Sequence, residues 1–356
     1  MKMKNYLLAI AALVMSLSAS AQSNNTFAQE QMSLSGYLQG GFQTSNDDPS
    51  STFYLKRARV SLTGNAKEEK IDYRLQVDMA GDPKICDLYF RYKPSSAFGM
   101  QLGQFKIPFA IENDIYGPTT VELIDYSYIT TLLARNADDY DGIAATGRDI
   151  GFQIYGGFGD EKEYKTLSYN LGVFNGAGIN TKDNNEAKDV VARLIYKPTK
   201  ELSLSGSVMT TRTTITTSEL KLSGYSVLGE SLDIKLDTVT TTTNTNSNRW
   251  SAGVIYDAKS FIVRSEYAAA TFNKSNVQMY YILGGLKLNK DLMVIARYEG
   301  LNQEDIKDSR NRATLGAVYK PYPFLRCQLN YSLESCSEFG PNVNKSLLNL
   351  MLTAIF

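Results

Sequence analysis

The sequence predicts an all-β protein, a transmembrane antiparallel β-barrel of about sixteen strands with a long third loop folded inward. Three observations carry that expectation. The chain ends in an alternating stretch: Leu348, Leu350, Leu352, Ala354 and Phe356 share one face of an extended strand, and Asn349, Met351 and Thr353 the other, with Ile355 an apolar exception. Such a strand has one face suited to an apolar medium and one to a polar medium, over the roughly ten residues that a tilted strand needs to cross a bilayer. The same alternation recurs along most of the chain. Mean hydropathy is only −0.25, as expected when alternate strand residues alone touch lipid.

Taken in order, Lys2 and Lys4 precede an apolar run over residues 6–17, and Ala19-Ser20-Ala21 follows. A charged start, a short apolar run and an A-x-A site read as a signal peptide, residues 1–21, cleaved on export. No cysteine follows the cleavage site, so no lipid anchor is expected. A polar leader covers 22–32, and the barrel is expected over 33–356. No later stretch approaches eighteen consecutive apolar residues, so any membrane crossing is by strands.

Leu34, Gly36, Leu38, Gly40 and Phe42 form the first alternating face, and Asn46-Asp47-Asp48-Pro49 breaks it. Ala58, Val60 and Leu62 then oppose Arg57, Arg59, Ser61 and Thr63. Tyr73, Leu75, Val77 and Met79 oppose Asp72, Arg74, Gln76 and Asp78. Leu88, Phe90 and Tyr92 oppose Asp87, Tyr89 and Arg91, and a fifth strand covers 100–106. The pattern stops over 108–147, a length that in a compact domain is usually functional, and this segment is the candidate constriction loop. Strands resume near 150, 167, 190 and 202. A Thr/Ser-rich interruption, 211–248, is expected as a long extracellular loop, with a hairpin of its own suggested by Leu220, Leu222, Leu232, Ile234 and Leu236. Six more strands follow, near 250, 261, 277, 292, 312 and 324, before the last. Lys197-Pro198-Thr199-Lys200, Asp257-Ala258-Lys259-Ser260, Asn289-Lys290-Asp291 and Lys320-Pro321-Tyr322-Pro323 are short turns. Longer polar connections alternate with them, the asymmetry of periplasmic turns and outer loops.

Composition excludes several functions. Without Lys2 and Lys4, 35 basic residues stand against 37 acidic ones, so there is no basic field for nucleic acid. There is no histidine, which removes Ser-His and Asp-His catalysis and histidine-ligated metals. Cys86, Cys327 and Cys336 have no metal spacing. The last two are about 30 Å apart along an extended strand, beyond disulfide reach. Asp138-Asp139-Tyr140-Asp141-Gly142 lacks the spaced ligands of an EF-hand. No enzyme, cofactor or metal site is expected. The 23 tyrosines and 15 phenylalanines suit interfacial girdles as well as ordinary sheet packing.

Tyr54-Leu55-Lys56-Arg57-Ala58-Arg59-Val60-Ser61-Leu62-Thr63-Gly64, Tyr73-Arg74-Leu75-Gln76-Val77-Asp78, Gly103-Gln104-Phe105-Lys106-Ile107-Pro108-Phe109 and Gly172-Val173-Phe174-Asn175-Gly176 resemble, in order and spacing, the phosphate-selective porin O and P family. The C-terminal aromatic likewise resembles the closing strand of bacterial outer-membrane barrels. The resemblance implies a sixteen-stranded porin in the bacterial outer membrane, a homotrimer surrounded by lipid. Small hydrophilic solutes would cross it passively, anionic ones or phosphate by preference.

On that basis Arg57, Arg59, Arg74, Lys106, Arg135 and Arg148 are the pore-lining, anion-binding candidates. Guanidinium forks bind phosphate oxygens bidentately. The same residues could instead pair with wall carboxylates: Arg57 and Arg59 with Asp72 or Asp78, Arg91 with Asp87, Arg264 with Glu266. Lys106 falls by simple parity with Met100 and Leu102, so a bulge or the loop root must turn it inward. From a different class, a secreted or surface-attached β-sandwich adhesin would also alternate. It would then need both sheet faces covered without lipid.

Overall fold

A computed structural model describes residues 32–46, 51–65, 70–134, 146–159, 164–183, 186–228, 231–272, 275–303, 308–337 and 343–356. The expected signal peptide, the expected leader up to 31, and Arg135 lie outside the described residues. Alternation becomes sixteen strands: β1 (Met32–Ser45), β2 (Thr52–Asn65), β3 (Ile71–Asp78), β4 (Lys84–Tyr92), β5 (Gly99–Lys106), β6 (Arg148–Phe158), β7 (Leu167–Phe174) and β8 (Asp189–Tyr196). They continue with β9 (Leu202–Leu228), β10 (Ser231–Asp257), β11 (Phe261–Phe272), β12 (Ser275–Lys287), β13 (Leu292–Gln303), β14 (Asp308–Tyr322), β15 (Leu325–Ser337) and β16 (Val343–Ile355). Each strand pairs antiparallel with its sequence neighbours, and β1 pairs with β16 to close the barrel. A closed single sheet leaves no stacked second sheet, which rules out the adhesin sandwich.

The period of two decides what faces where. Leu348, Leu350 and Leu352 are exposed on the outer wall, while Asn349, Met351 and Thr353 are buried on the inner one. The outer surface of the other strands repeats this, with Leu38, Leu88, Phe90, Leu102, Leu194, Ile282, Leu315 and Leu329 exposed. Polar side chains turned inward, such as Arg59, Gln76, Asp78, Arg264 and Glu299, are buried. An apolar exterior around a polar interior is the inverse of a soluble domain.

Closure is completed at the last residue. The Gly36 amide donates to the Phe356 carbonyl (2.8 Å) and the Phe356 amide to the Gly36 carbonyl (3.0 Å). The Phe356 ring also lies over Gly36, where a Cβ would meet Cζ at 2.5 Å. Deleting Phe356 removes both closing hydrogen bonds, each worth about 0.5–1.5 kcal/mol net, and uncovers this seam. The deletion is expected to lower the trypsin-resistant barrel recovered from the membrane several-fold. Normal abundance and resistance would refute that.

Connections at the rim that carries the chain ends span 66–70, 93–98, 159–166, 197–201, 258–260, 288–291 and 323–324. At the distal rim only 107–147 and 175–188 are long. The segment 211–248 lies within β9 and β10, 27 residues each, as one hairpin joined at 229–230. Its many threonines are β-branched and favour extended backbone. Around the alternating Leu220, Leu222, Leu232, Ile234 and Leu236, the threonine runs are polar at every position and carry no alternation.

Candidate functional site in the barrel interior

Where β5 ends the chain turns onto side chains of far strands rather than into solvent. The short helix α1 (Ile111–Asp114) begins against β11: the Ile111 amide donates to Glu266 Oε1 at 3.0 Å. Gln39 of β1 donates to the Pro118 carbonyl (3.0 Å), Gln328 of β15 to the Glu122 carbonyl (2.7 Å), and Lys56 of β2 to the Ile124 carbonyl (2.9 Å). The Arg326 and Arg249 guanidinium groups donate to the Val121 and Leu133 carbonyls. Strands this far apart around the barrel share only its interior, so residues 107–134 run through it.

The segment can lie there because it brings its own core. Phe109, Leu123, Ile129, Leu132 and Leu133 are buried together in one cluster, and Ile111 is buried as well. Two wall glycines admit it: a Cβ on Gly253 would stand 2.6 Å from Ile111 Cδ1, and one on Gly316 2.7 Å from Leu123 Cδ2.

Charge then clamps the segment. Arg264, fully buried, donates to both oxygens of Glu122 (2.9 and 3.0 Å) and to Glu112 Oε1 (3.2 Å), and lies 3.5 Å from the centre of the Tyr116 ring. Arg297 is 3.6 Å from Glu112 Oε2 and 2.9 Å from Glu299 Oε1, and Arg312 joins Glu299 at 2.7 Å. Glu112 and Glu299 also accept the amides of Ser127 (2.7 Å) and Tyr128 (2.8 Å). Asp125 pairs with Lys56 at 2.8 Å. Burial by itself would raise the Asp125 carboxyl; the charge and hydrogen bond of Lys56, with the charges of Arg312 and Arg297, together outweigh it and hold the group below the usual carboxylate range. Asp114 pairs with Arg193. The pairing of Arg264 is thus with the segment's carboxylates, not with its strand neighbour Glu266. Arg91 pairs with Asp72 (2.6 Å), and Asp87 with Arg148 (2.7 Å) and Arg74 (3.4 Å).

The sequence candidates divide accordingly. Arg59, Arg74 and Arg148 belong to wall pairs; Arg59 meets Asp78 at 2.8 Å. Arg57 donates to the Gln39 side-chain oxygen (2.8 Å), and no carboxylate pairs with it among the described residues. Lys106 donates to the Tyr116 carbonyl (3.3 Å). Simple alternation in β5 ends at Gly103, whose φ of 131° few other residues adopt: Leu102 before it is exposed, while Gln104 and Phe105 after it are both buried. Arg135 is outside the described residues. Lys56, Arg249, Arg264, Arg297, Arg312 and Arg326 were not singled out from sequence as pore candidates. Lys56 is brought in by a register shift between Gln39 and Gly40, which places two consecutive cations, Lys56 and Arg57, on interior partners. The others have inward parity, and that signal was available; their partners were not.

The model of the phosphate-selective porin O and P family matches residues 33–352. No curated protein matches the chain. Among solved structures, an anion-selective porin from Comamonas acidovorans superposes with a TM-score of 0.67 at 12% identity, covering 91% of this chain and 99% of that one. The trimer form of OmpT, an outer membrane protein of Vibrio cholerae, gives 0.64 at 13% identity, with 91% and 99% covered. OmpF of Salmonella typhi, in complex with daunomycin, gives 0.63 at 11%, with 91% and 97% covered. At these identities the structures share a fold.

Proposed function

The chain belongs to the phosphate-selective porin O and P family, and from that premise we propose that its channel prefers anions. It is an outer-membrane porin, a passive channel rather than an enzyme. The observation that supports an anion preference is the imbalance left where residues 107–134 cross the interior. Glu112, Glu122, Asp114 and Asp125 are all tied to wall cations, whereas among the described residues Arg57 and Arg326 bond carbonyl oxygens here and form no ion pair. The crossing segment is the constriction in this reading. Phosphate and other small anions are the solutes, and the assembly is a homotrimer exported by a signal peptide ending at Ala21.

The test is the reversal potential of the reconstituted channel in a KCl gradient. One unpaired charge about 7 Å from an ion in water is worth about 0.6 kcal/mol, a factor of about three in the ion's occupancy. Arg57→Gln is expected to lower the chloride-to-potassium permeability ratio by up to about sevenfold, since chloride loses that factor and potassium gains it, and to weaken phosphate block of the chloride current. Arg59→Gln combined with Asp78→Asn, which removes a pair of no net charge, should change the ratio far less. A cation-selective wild type, or equal effects of the two variants, would overturn the proposal.

A further inference from the structure

At the distal rim, on the inner face, two carboxylates are buried without a cation. Asp149, second residue of β6, and Asp189, first of β8, are each 1% exposed. Among the described residues neither forms an ion pair. Asp149 accepts the amides of Gly176 (2.5 Å) and Ile150 (2.7 Å). Asp189 Oδ1 accepts the Arg212 amide at 3.3 Å, and its Oδ2 has no partner among the described residues. Gly176 ties the two together: its amide holds Asp149, and a Cβ on it would stand 2.8 Å from Asp189 Oδ1. Its φ of 78° is what lets the loop 175–188 present both features at once.

A second, independent feature points into the same place. Thr211 of β9 is 1% exposed, and among the described residues its hydroxyl has no partner. Pairing of Val190 with Thr210 puts Thr211 across the ladder from Asp189, whose carboxylate bonds the next amide along, that of Arg212. Two anionic groups and a hydroxyl therefore converge with spare oxygen lone pairs. The nearby Asp183 is occupied by Lys188. Burying an unpaired charge costs several kcal/mol, and two together cost more, unless a cation or a proton joins them.

We propose that Asp149, Asp189 and Thr211 hold one Ca²⁺ ion, which fastens the loop 175–188 to the rim between β6 and β9. The donor set is all oxygen, from two carboxylates and a hydroxyl, with water completing the shell; that chemistry selects a hard divalent cation. Asp149 and Asp189 are forty residues apart in sequence, so no spacing motif announces the pair.

The test uses the full chain refolded into detergent free of lipopolysaccharide and stripped with chelator. Equilibrium dialysis against radioactive Ca²⁺ is expected to show one saturable site per chain, with a Kd of about 10⁻⁴–10⁻³ M, the range of modest-charge extracellular sites. Asp189→Asn should abolish that site. Thr211→Val, which keeps both carboxylates and so guards against a folding failure in the first variant, should weaken it several-fold. Ca²⁺ should raise the thermal midpoint of the wild type and leave that of Asp189→Asn unmoved. No saturable site, or equal binding by Asp189→Asn, would overturn the proposal. So would a wild type that is stabilised by mild acid and indifferent to Ca²⁺, since the pair would then share a proton.

Discussion

Arg264→Leu is expected to destabilise the folded barrel by about 3–5 kcal/mol, the cost of removing one member of a buried ion pair. Arg264 is fully buried and supplies both hydrogen bonds seen on the Glu122 carboxylate and one on Glu112. Without it, among the described residues, Glu122 keeps no side-chain donor, and Glu112 keeps Arg297 at 3.6 Å and the Ser127 amide. The urea midpoint for unfolding from lipid vesicles should fall, and single-channel current should become noisier as residues 107–134 loosen. Changing Glu112 and Glu122 to Gln in the same chain should recover much of the loss, because no uncompensated charge remains buried. A loss under about 1 kcal/mol would show that the clamp rests on the apolar contacts of Ile111 and Leu123 instead.

Leu315→Arg should cost a similar amount for the opposite reason. Leu315 lies midway along β14, points outward and is 59% exposed, paired with Ala296 and Tyr331 on the same outer face. Arginine on the lipid face near the bilayer midplane costs about 2–4 kcal/mol, falling to about 0–1 near the interfaces. Leu315→Ala, which stays apolar, is the control and should cost much less. The measurement is the same vesicle unfolding series; equal midpoints for the two variants would mean that this face of β14 does not meet hydrocarbon.

Both experiments probe one property, the separation of an apolar outside from a charged inside, yet the two sides were not equally legible in the sequence. Strand positions followed from the period of two, because a strand with one face in lipid and one in water must alternate. That reasoning placed Leu350 and Leu352 outward and Arg57, Arg59 and Arg74 inward without any partner being known. It was weakest in the threonine runs within 211–248, where only Leu220, Leu222, Leu232, Ile234 and Leu236 alternate and suggest a hairpin, and at Gly103, where the backbone leaves the regular pleat.

What the sequence by itself determined is therefore the wall: the strand order, the outward face, the closing strand and the family. What only the tertiary structure decided is how the interior charges are spent. Arg264 stands two residues from Glu266 yet binds Glu112 and Glu122, more than 140 positions away along the chain. Asp87 takes Arg74 and Arg148, leaving Arg91 to Asp72, and the bulge at Gln39 turns Lys56 inward beside Arg57. Parity is a local property of backbone geometry, and a sequence carries it. Ion pairing depends on distances of about 3–4 Å between groups that approach only when the barrel has closed and residues 107–134 have crossed it.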